Sequence, residues 1–240
     1  MAIPASSRPV KAVVLAAGHD EATRNLLLRP LAGPTVIEQT LATVTAVVPA
    51  QDVVIVVAEH DTAVREHLGE SWNYVVQTVQ AGTGDAVRCA RFQLAGFDGD
   101  VLVVYGDTPL LRAASLRGLL WRHRLKDAQF SLLTAVLADG HDYGRIERDA
   151  DGRITEIVEA TDLSEATQRI TEVNVGAYVA DNAILVPELD AMAATGEHRL
   201  TELAERLIAQ GRQLASYAIV DPDEVQGINT DAELRAAADI

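Results

Sequence analysis

The sequence predicts an α/β fold, in which helices flank a mixed, mainly parallel β-sheet. Three apolar runs have the composition of buried strands, at residues 11–16, 53–58 and 101–105. Helical patterns lie between and after these runs, at residues 35–48, 60–68, 83–94 and 113–126. Alternation of strands and helices along a chain is typical of parallel strands that helices connect.

The second half of the chain predicts a partly antiparallel extension of this sheet. An Asp-Gly turn within residues 148–153 is a hairpin signal. Further strands are predicted at residues 130–137, 144–148, 154–159, 172–179 and 214–219, and further helices at residues 181–194, 200–210 and 231–238. No linker rich in Pro, Gly or Ser divides the chain, so we expect a flexible tail at residues 1–9 and a single domain over residues 10–240.

Composition excludes several classes of function. A formal net charge of −15 argues against a nucleic-acid partner, because such partners require a basic surface. No apolar run approaches the roughly 20 residues that span a membrane. Cys89 is the only cysteine, which rules out an internal disulfide and favours the reducing cytoplasm.

A short motif directly after the third apolar run points most clearly to chemistry. Tyr105 ends this predicted strand, and Gly106 and Asp107 follow it, so Asp107 is expected at the carboxyl edge of a parallel sheet, where α/β folds bind ligands. A carboxylate there commonly holds a divalent cation on a phosphate. The alternative is that Asp107 only caps the helix that begins near Ala113.

Four more motifs fall where loops are predicted. Glycines beside a strand end or a helix start leave backbone N–H groups available to a base or a phosphate. A glutamine amide offers one donor and one acceptor, which complements the edge of a pyrimidine. The motifs are Leu15-Ala16-Ala17-Gly18; Gln77 with Gly82-Thr83-Gly84; Tyr143-Gly144-Arg145-Ile146 followed by Ile157-Val158-Glu159 and Glu172-Val173-Asn174-Val175-Gly176; and Gln226-Gly227-Ile228-Asn229.

In this order and spacing, the five motifs resemble those of the sugar-1-phosphate nucleotidyltransferases. The similarity is greatest to the uridylyltransferase domain of the bifunctional N-acetylglucosamine-1-phosphate uridylyltransferases, and it runs from about Val10 to about Ala237. The resemblance implies a Rossmann-like fold of the nucleotide-diphospho-sugar transferase type. It also implies Mg²⁺ as cofactor, with UTP and N-acetylglucosamine 1-phosphate as the first substrates to consider and pyrophosphate as a product.

The resemblance also implies roles for individual residues. Arg24 and Asp107 would be catalytic, and Asp107 would bind Mg²⁺ together with Asn229. The sugar would contact Gly144, Glu159 and Asn174. The nucleotide would contact Leu15, Ala16, Ala17, Gly18, Gln77, Gly82, Thr83, Tyr105 and Gly106.

The first loop departs from the family pattern, in which Leu-Ala-Ala-Gly continues as Gly-Thr-Arg-Met with a Pro-Lys pair further on. Residues 19–30 contain neither the second glycine nor a lysine, and Asp20 and Glu21 add negative charge. Arg24 and Arg29 are the cations that could compensate, although a guanidinium is not equivalent to an ammonium. Thr161 stands where the family has a second lysine. An alternative therefore remains open, namely a weakened or inactive paralogue that binds a nucleotide or a nucleotide sugar.

Two further expectations follow from the resemblance. Glu197 belongs to a stretch that matches the family's Gly-Glu-x-x-Leu-Thr-Asp, and it is expected near the sugar. The chain ends at Ile240, so we expect neither the family's β-helical acetyltransferase domain nor its trimer, but a monomer or a small homo-oligomer.

Overall fold

A computed structural model describes residues 8–18, 21–59, 62–140, 142–195 and 198–240 of the chain. Two residues with expected roles, Asp20 and Glu197, lie outside the described residues, as does most of the expected tail. Within the described residues, no helix is long and apolar enough to cross a membrane.

Nine strands of the described chain form one sheet, whose central path runs in the order β3-β2-β1-β4-β8-β5-β9. Strands β1 to β4 are mutually parallel, whereas β8 is antiparallel to both of its neighbours, β4 and β5. The strands are β1 Val10–Leu15, β2 Val53–Ala58, β3 Asn73–Gln77, β4 Asp100–Tyr105, β5 Phe130–Val136, β6 Arg145–Arg148, β7 Ile154–Val158, β8 Glu172–Asp181 and β9 Ala215–Ala218. The predicted mixed, mainly parallel sheet is therefore confirmed.

Helices cover both faces of this sheet, and each face has its own apolar core. The helices of the described chain are α1 Glu21–Leu27, α2 Val36–Thr45, α3 Ala63–Leu68, α4 Thr83–Cys89, α5 Arg91–Leu94, α6 Ala113–Leu125, α7 Asn182–Thr195, α8 Leu200–Ala209 and α9 Asp231–Ala238. Strand β2 is buried at all six positions, which explains why its sequence is apolar without alternation. The predicted hairpin is also present, as antiparallel strands β6 and β7.

Helix α1 and strand β3 were not predicted, and helices α4 and α5 were predicted as one helix. Helix α1 lies in the stretch that was expected to be a loop, and its Leu26 and Leu27 pack into one of the cores. Strand β3 at the edge of the sheet was missed because it is short and only Val75 and Gln77 are buried. The predicted helix at residues 83–94 is interrupted at Ala90, so that α4 and α5 are separate.

Charged side chains fix the start of the described chain at the edge of the sheet opposite the predicted site. Asp100 at the start of β4 is fully buried, and its carboxylate lies 3.3 Å from Arg8 and 2.8 Å from Arg124. Arg8 also pairs with Asp181 at 2.6 Å. These contacts hold Arg8 against the sheet, so the start of β1 is anchored before the strand begins.

Candidate functional site

The predicted site residues follow the carboxyl ends of parallel strands. Leu15 ends β1 and is in register with Tyr105, which ends β4, while Gln77 ends β3 on the far side of β2. The loops after these strands therefore leave the sheet at one edge. This is the edge at which open α/β sheets bind ligands.

Gly106 forms the floor of the site, where two strands leave the sheet side by side. Its backbone N–H donates to the carbonyl of Leu15 at 2.8 Å, and its own carbonyl accepts from the Thr40 hydroxyl at 3.0 Å. A Cβ at this position would lie 2.9 Å from the Leu15 carbonyl oxygen. Only glycine lets the two loops approach this closely.

Gln77 is buried and holds the neighbouring loop in place. Its Nε2 donates to the carbonyl of Gly82 at 3.1 Å and to the carboxylate of Asp85 at 3.0 Å. These two bonds use both amide hydrogens, so the orientation of the amide is fixed. The side-chain carbonyl oxygen is then the group that Gln77 can offer to a ligand.

The start of α4 is tied to the segment that precedes α8. The carbonyl of His198 accepts from the Gly84 N–H at 2.7 Å, and the Thr83 hydroxyl accepts from the Leu200 N–H at 3.0 Å. Gly82, at φ +131°, has no space for a side chain, because a Cβ would lie 2.5 Å from the His198 carbonyl oxygen. Two segments more than 110 residues apart thereby form one rigid wall.

Buried hydroxyl groups connect this wall to the second half of the site. The Tyr105 hydroxyl makes hydrogen bonds with Thr83 and Tyr178, and Tyr178 accepts from the amide of Asn174 at 2.8 Å. Burial raises the pKa of Tyr105 and raises that of Tyr178 further. Both phenols are therefore neutral at physiological pH, and they act as hydrogen-bonding groups rather than as bases.

The three residues predicted to bind the sugar lie together. The Asn174 N–H donates to the carbonyl of Gly144 at 2.9 Å, and a Cβ on Gly144 would lie 3.7 Å from a carboxylate oxygen of Glu159. The other oxygen of Glu159 accepts from the Thr201 hydroxyl and lies 3.8 Å from Arg199. A carboxylate and an amide side by side provide the acceptors and donors that sugar hydroxyls require.

Asp107 is partly exposed just beyond the end of β4, and it does not cap the next helix. Helix α6 begins after Arg112, and the N–H of Arg112 donates to the carboxylate of Glu224 at 2.9 Å. The capping alternative for Asp107 is therefore wrong. Burial, with a smaller contribution from the negative charge of Glu233, raises the pKa of Asp107 to about 6.

The last loop brings Asn229 to the same place. The Ile228 N–H donates to the carbonyl of Asp107 at 2.8 Å, and the Asn229 side chain lies against Gly227 in this loop. Within the described residues, no group of three or more His, Cys, Asp or Glu side chains could hold a metal ion. A carboxylate and an amide oxygen suit a cation such as Mg²⁺, which takes few protein ligands and completes its shell with water and phosphate.

The two arginines of the first segment have different positions. Arg24 is partly buried on α1. Arg29 is exposed and pairs at 3.0 Å with Asp231, which lies two residues after Asn229. The first segment therefore reaches the start of α9, next to the last loop, through Arg29, although the sequence favoured Arg24 for the catalytic role.

Three polar residues of the site were not predicted. Arg199 and Thr201 contact Glu159, although the sequence reading placed Glu197 of the same stretch near the sugar. Glu233 accepts from the N–H of Asn229 at 2.7 Å. The Thr-x-x-Glu pattern of Thr230 to Glu233 is a capping signal that could have identified it.

Residues 22–222 match the family model described as nucleotidyl transferase. The chain is 38% identical over 232 residues to the bifunctional protein GlmU of Enterococcus faecalis, and the match covers 94% of this chain and 50% of that protein. It is 38% identical over 234 residues to the GlmU protein of Brevibacillus brevis, covering 95% and 50%. The chain thus spans about half the length of the curated relatives it matches.

Among solved structures, the fold matches a putative glucose-1-phosphate thymidylyltransferase from Bacillus anthracis in complex with a sucrose. The TM-score is 0.74 at 16% sequence identity, and the match covers 96% of this chain and 94% of that one. At this identity the match establishes the fold alone, a mixed sheet of mainly parallel strands flanked by helices.

Proposed function

We propose, because this chain belongs to the nucleotidyl transferase family, that it transfers a nucleotidyl group from a nucleoside triphosphate to a sugar 1-phosphate and releases pyrophosphate. UTP and N-acetylglucosamine 1-phosphate are the substrates we propose first. The GlmU relatives support this choice, as does the acceptor oxygen that Gln77 can present to the N3–H of uracil.

The position and environment of the Asp107 carboxylate provide the main support for this proposal. Asp107 lies two residues after Tyr105, whose hydroxyl is hydrogen-bonded to Thr83, and its backbone carbonyl accepts from the Ile228 N–H of the loop that carries Asn229. In the described part of the chain, its own backbone N–H is the only hydrogen-bond donor to the carboxylate, and its neighbour Glu233 is also negative. A partly buried carboxylate that has a raised pKa and pairs with no cationic side chain of the described residues is suited to binding a metal ion.

In the proposed reaction, an oxygen of the sugar phosphate attacks the α-phosphorus, and the bond from the α-phosphorus to its bridging oxygen breaks. Asp107 and Asn229 would hold Mg²⁺, which when bound neutralises charge on the phosphates. Thr83 and the glycines beside it would hold the nucleotide, while Glu159 and Asn174 would orient the sugar. No covalent enzyme intermediate is required, so catalysis is a matter of positioning and charge.

Pyrophosphate release is the assay that tests the proposal. Purified protein, Mg²⁺ and UTP are incubated with N-acetylglucosamine 1-phosphate, and the panel is widened to other nucleotides and other sugar 1-phosphates. Asp107→Ala protein prepared in parallel measures contaminating activity. Pyrophosphate release by the wild-type protein but not by Asp107→Ala protein supports the function. If the wild-type protein releases no pyrophosphate with any substrate pair but still binds a nucleotide sugar, the inactive paralogue is favoured.

The affinity for Mg²⁺ should depend on pH because of Asp107. With a pKa of about 6, this carboxylate is mostly protonated at pH 5, where Mg²⁺ must compete with the proton. We expect binding about tenfold weaker at pH 5 than at pH 7.5, and a plateau above about pH 7. Calorimetric titration at several pH values measures this dependence, and equal affinity at pH 5 and pH 7.5 would contradict the role of Asp107.

A further inference from the structure

A cavity of about 410 Å³ opens beside Glu159 on the sugar side of the site. It is lined by Asp142, Glu159, Ala160, Thr161 and Arg199. Of these five residues, two carry negative charge and only Arg199 carries positive charge. Without Arg199, the lining would repel a phosphate.

The backbone of Arg199 is held firmly at this position. Its N–H donates to the carboxylate of Glu202 at 2.6 Å, which caps the start of α8. On its other side it packs against the start of α4, where a Cβ on Gly84 would lie 3.3 Å from the Arg199 carbonyl group. The backbone of Arg199 is therefore fixed between the start of α4, which is predicted to bind the nucleotide, and Glu159, which is predicted to bind the sugar.

The guanidinium of Arg199 remains available to a ligand. Its side chain is 51% exposed, and the nearest carboxylate oxygen among the described residues, on Glu159, lies 3.8 Å away, which is too long for a hydrogen bond. That oxygen already accepts from the Thr201 hydroxyl. The planar N–H groups of Arg199 can thus turn to an anion in the cavity without losing a hydrogen bond to Glu159.

We propose that Arg199 binds the phosphate of the sugar 1-phosphate in this cavity, while Glu159 binds the hydroxyl groups of the same sugar. This inference rests on the proposed function and adds to it a residue that selects a phosphorylated sugar. A guanidinium matches a phosphate because two of its N–H groups can donate in parallel.

Binding measurements on the sugar with and without its phosphate test this assignment. Arg199→Gln should weaken the binding of N-acetylglucosamine 1-phosphate about 30-fold, and it should change that of unphosphorylated N-acetylglucosamine less than about twofold. Arg153→Gln is the matched control, because Arg153 is also exposed but lies in the turn between β6 and β7. Calorimetry measures both ligands, and the KM for UTP should stay unchanged.

A second variant separates a charge effect from a structural one. Thr161 is exposed and lines the same cavity, so Thr161→Lys places a new ammonium near the proposed phosphate. In the background of Arg199→Gln, it should recover at least about fivefold of the lost affinity for the phosphorylated sugar. A merely structural role for Arg199 predicts no such rescue.

The outcomes distinguish this inference from the function on which it rests. If the wild-type protein releases pyrophosphate but Arg199→Gln binds both sugars as before, the inference is overturned and the function stands. If the wild-type protein binds the sugar phosphate without turnover and Arg199→Gln loses that binding, the inference stands and the function falls. If the wild-type protein neither binds the sugar phosphate nor turns over, both are overturned.

Discussion

Asp107→Asn is expected to lower kcat for pyrophosphate release about 10³-fold, because the substitution removes the charge that would hold Mg²⁺ against the phosphates. The fold should be unaffected, since the amide has the same shape and the carboxylate forms no ion pair with another described residue. Burial already disfavours the charged carboxylate, which raises its pKa to about 6. At pH 7.5 the metal-free variant should therefore unfold at the same temperature as the wild-type protein or at a higher one.

Asp98→Asn provides the control for this variant. Asp98 is fully exposed and lies before the opposite end of β4, so its substitution should leave kcat within about twofold. Steady-state assays and thermal unfolding without metal should be run on all three proteins. Asp107→Asn protein with more than about a tenth of the wild-type kcat would be incompatible with the proposed metal site.

Gly82→Ala is expected to reduce the free energy of unfolding by about 3 kcal/mol. At φ +131°, a side chain is strained, and the added Cβ would lie 2.5 Å from the His198 carbonyl oxygen. Relief of this overlap requires the start of α4 and the segment before α8 to separate, which would displace both Thr83 and Arg199. We therefore expect a fall in melting temperature of about 8 °C and higher KM values for both substrates.

Gly33→Ala distinguishes the cost of backbone strain at positive φ from the cost of the steric overlap with His198. Gly33 has nearly the same φ, +132°, but no non-neighbouring atom of the described residues lies within 4 Å of where its Cβ would be. This substitution should cost only the backbone strain, about 1–2 kcal/mol. Thermal denaturation compares the two variants, and equal losses of stability would show that the contact with His198 contributes nothing.

The sheet was largely predictable from the sequence because its central strands are buried on both faces. Residues 53–58 and 231–238 were assigned with the same limits as β2 and α9, since a continuous apolar run and a well-capped helix are strong local signals. Strand β3 was missed because pairing with β2, rather than its own composition, makes Asn73–Gln77 extended. The resemblance predicts a loop for the first segment, whereas Leu26 and Leu27 give it an apolar face that packs into the core.

Where motifs end strands, the sequence predicts residues that the fold brings to one edge of the sheet, but it does not predict contacts between residues that are distant in the chain. The resemblance identified Asp107, Glu159 and Asn174 by position in the chain. Arg199 and Thr201 become neighbours of Glu159 because α8 packs beside β7. The family motif places their stretch near the sugar, but it does not show which of its side chains contact Glu159. The role of Gln77 in orienting the Gly82 loop is likewise a consequence of burial.

The insertion of β8 between β4 and β5 has a consequence for biosynthesis. These two strands are consecutive in the chain, yet each pairs with β8 rather than with the other. Until Glu172–Asp181 leaves the ribosome, both strands present an unpaired apolar edge, and such edges promote association between nascent chains. β4 and β5 are joined only when β8, the longest strand of the described chain, has been made. We therefore expect the emerging chain to be most prone to aggregation between the synthesis of β4 and that of β8.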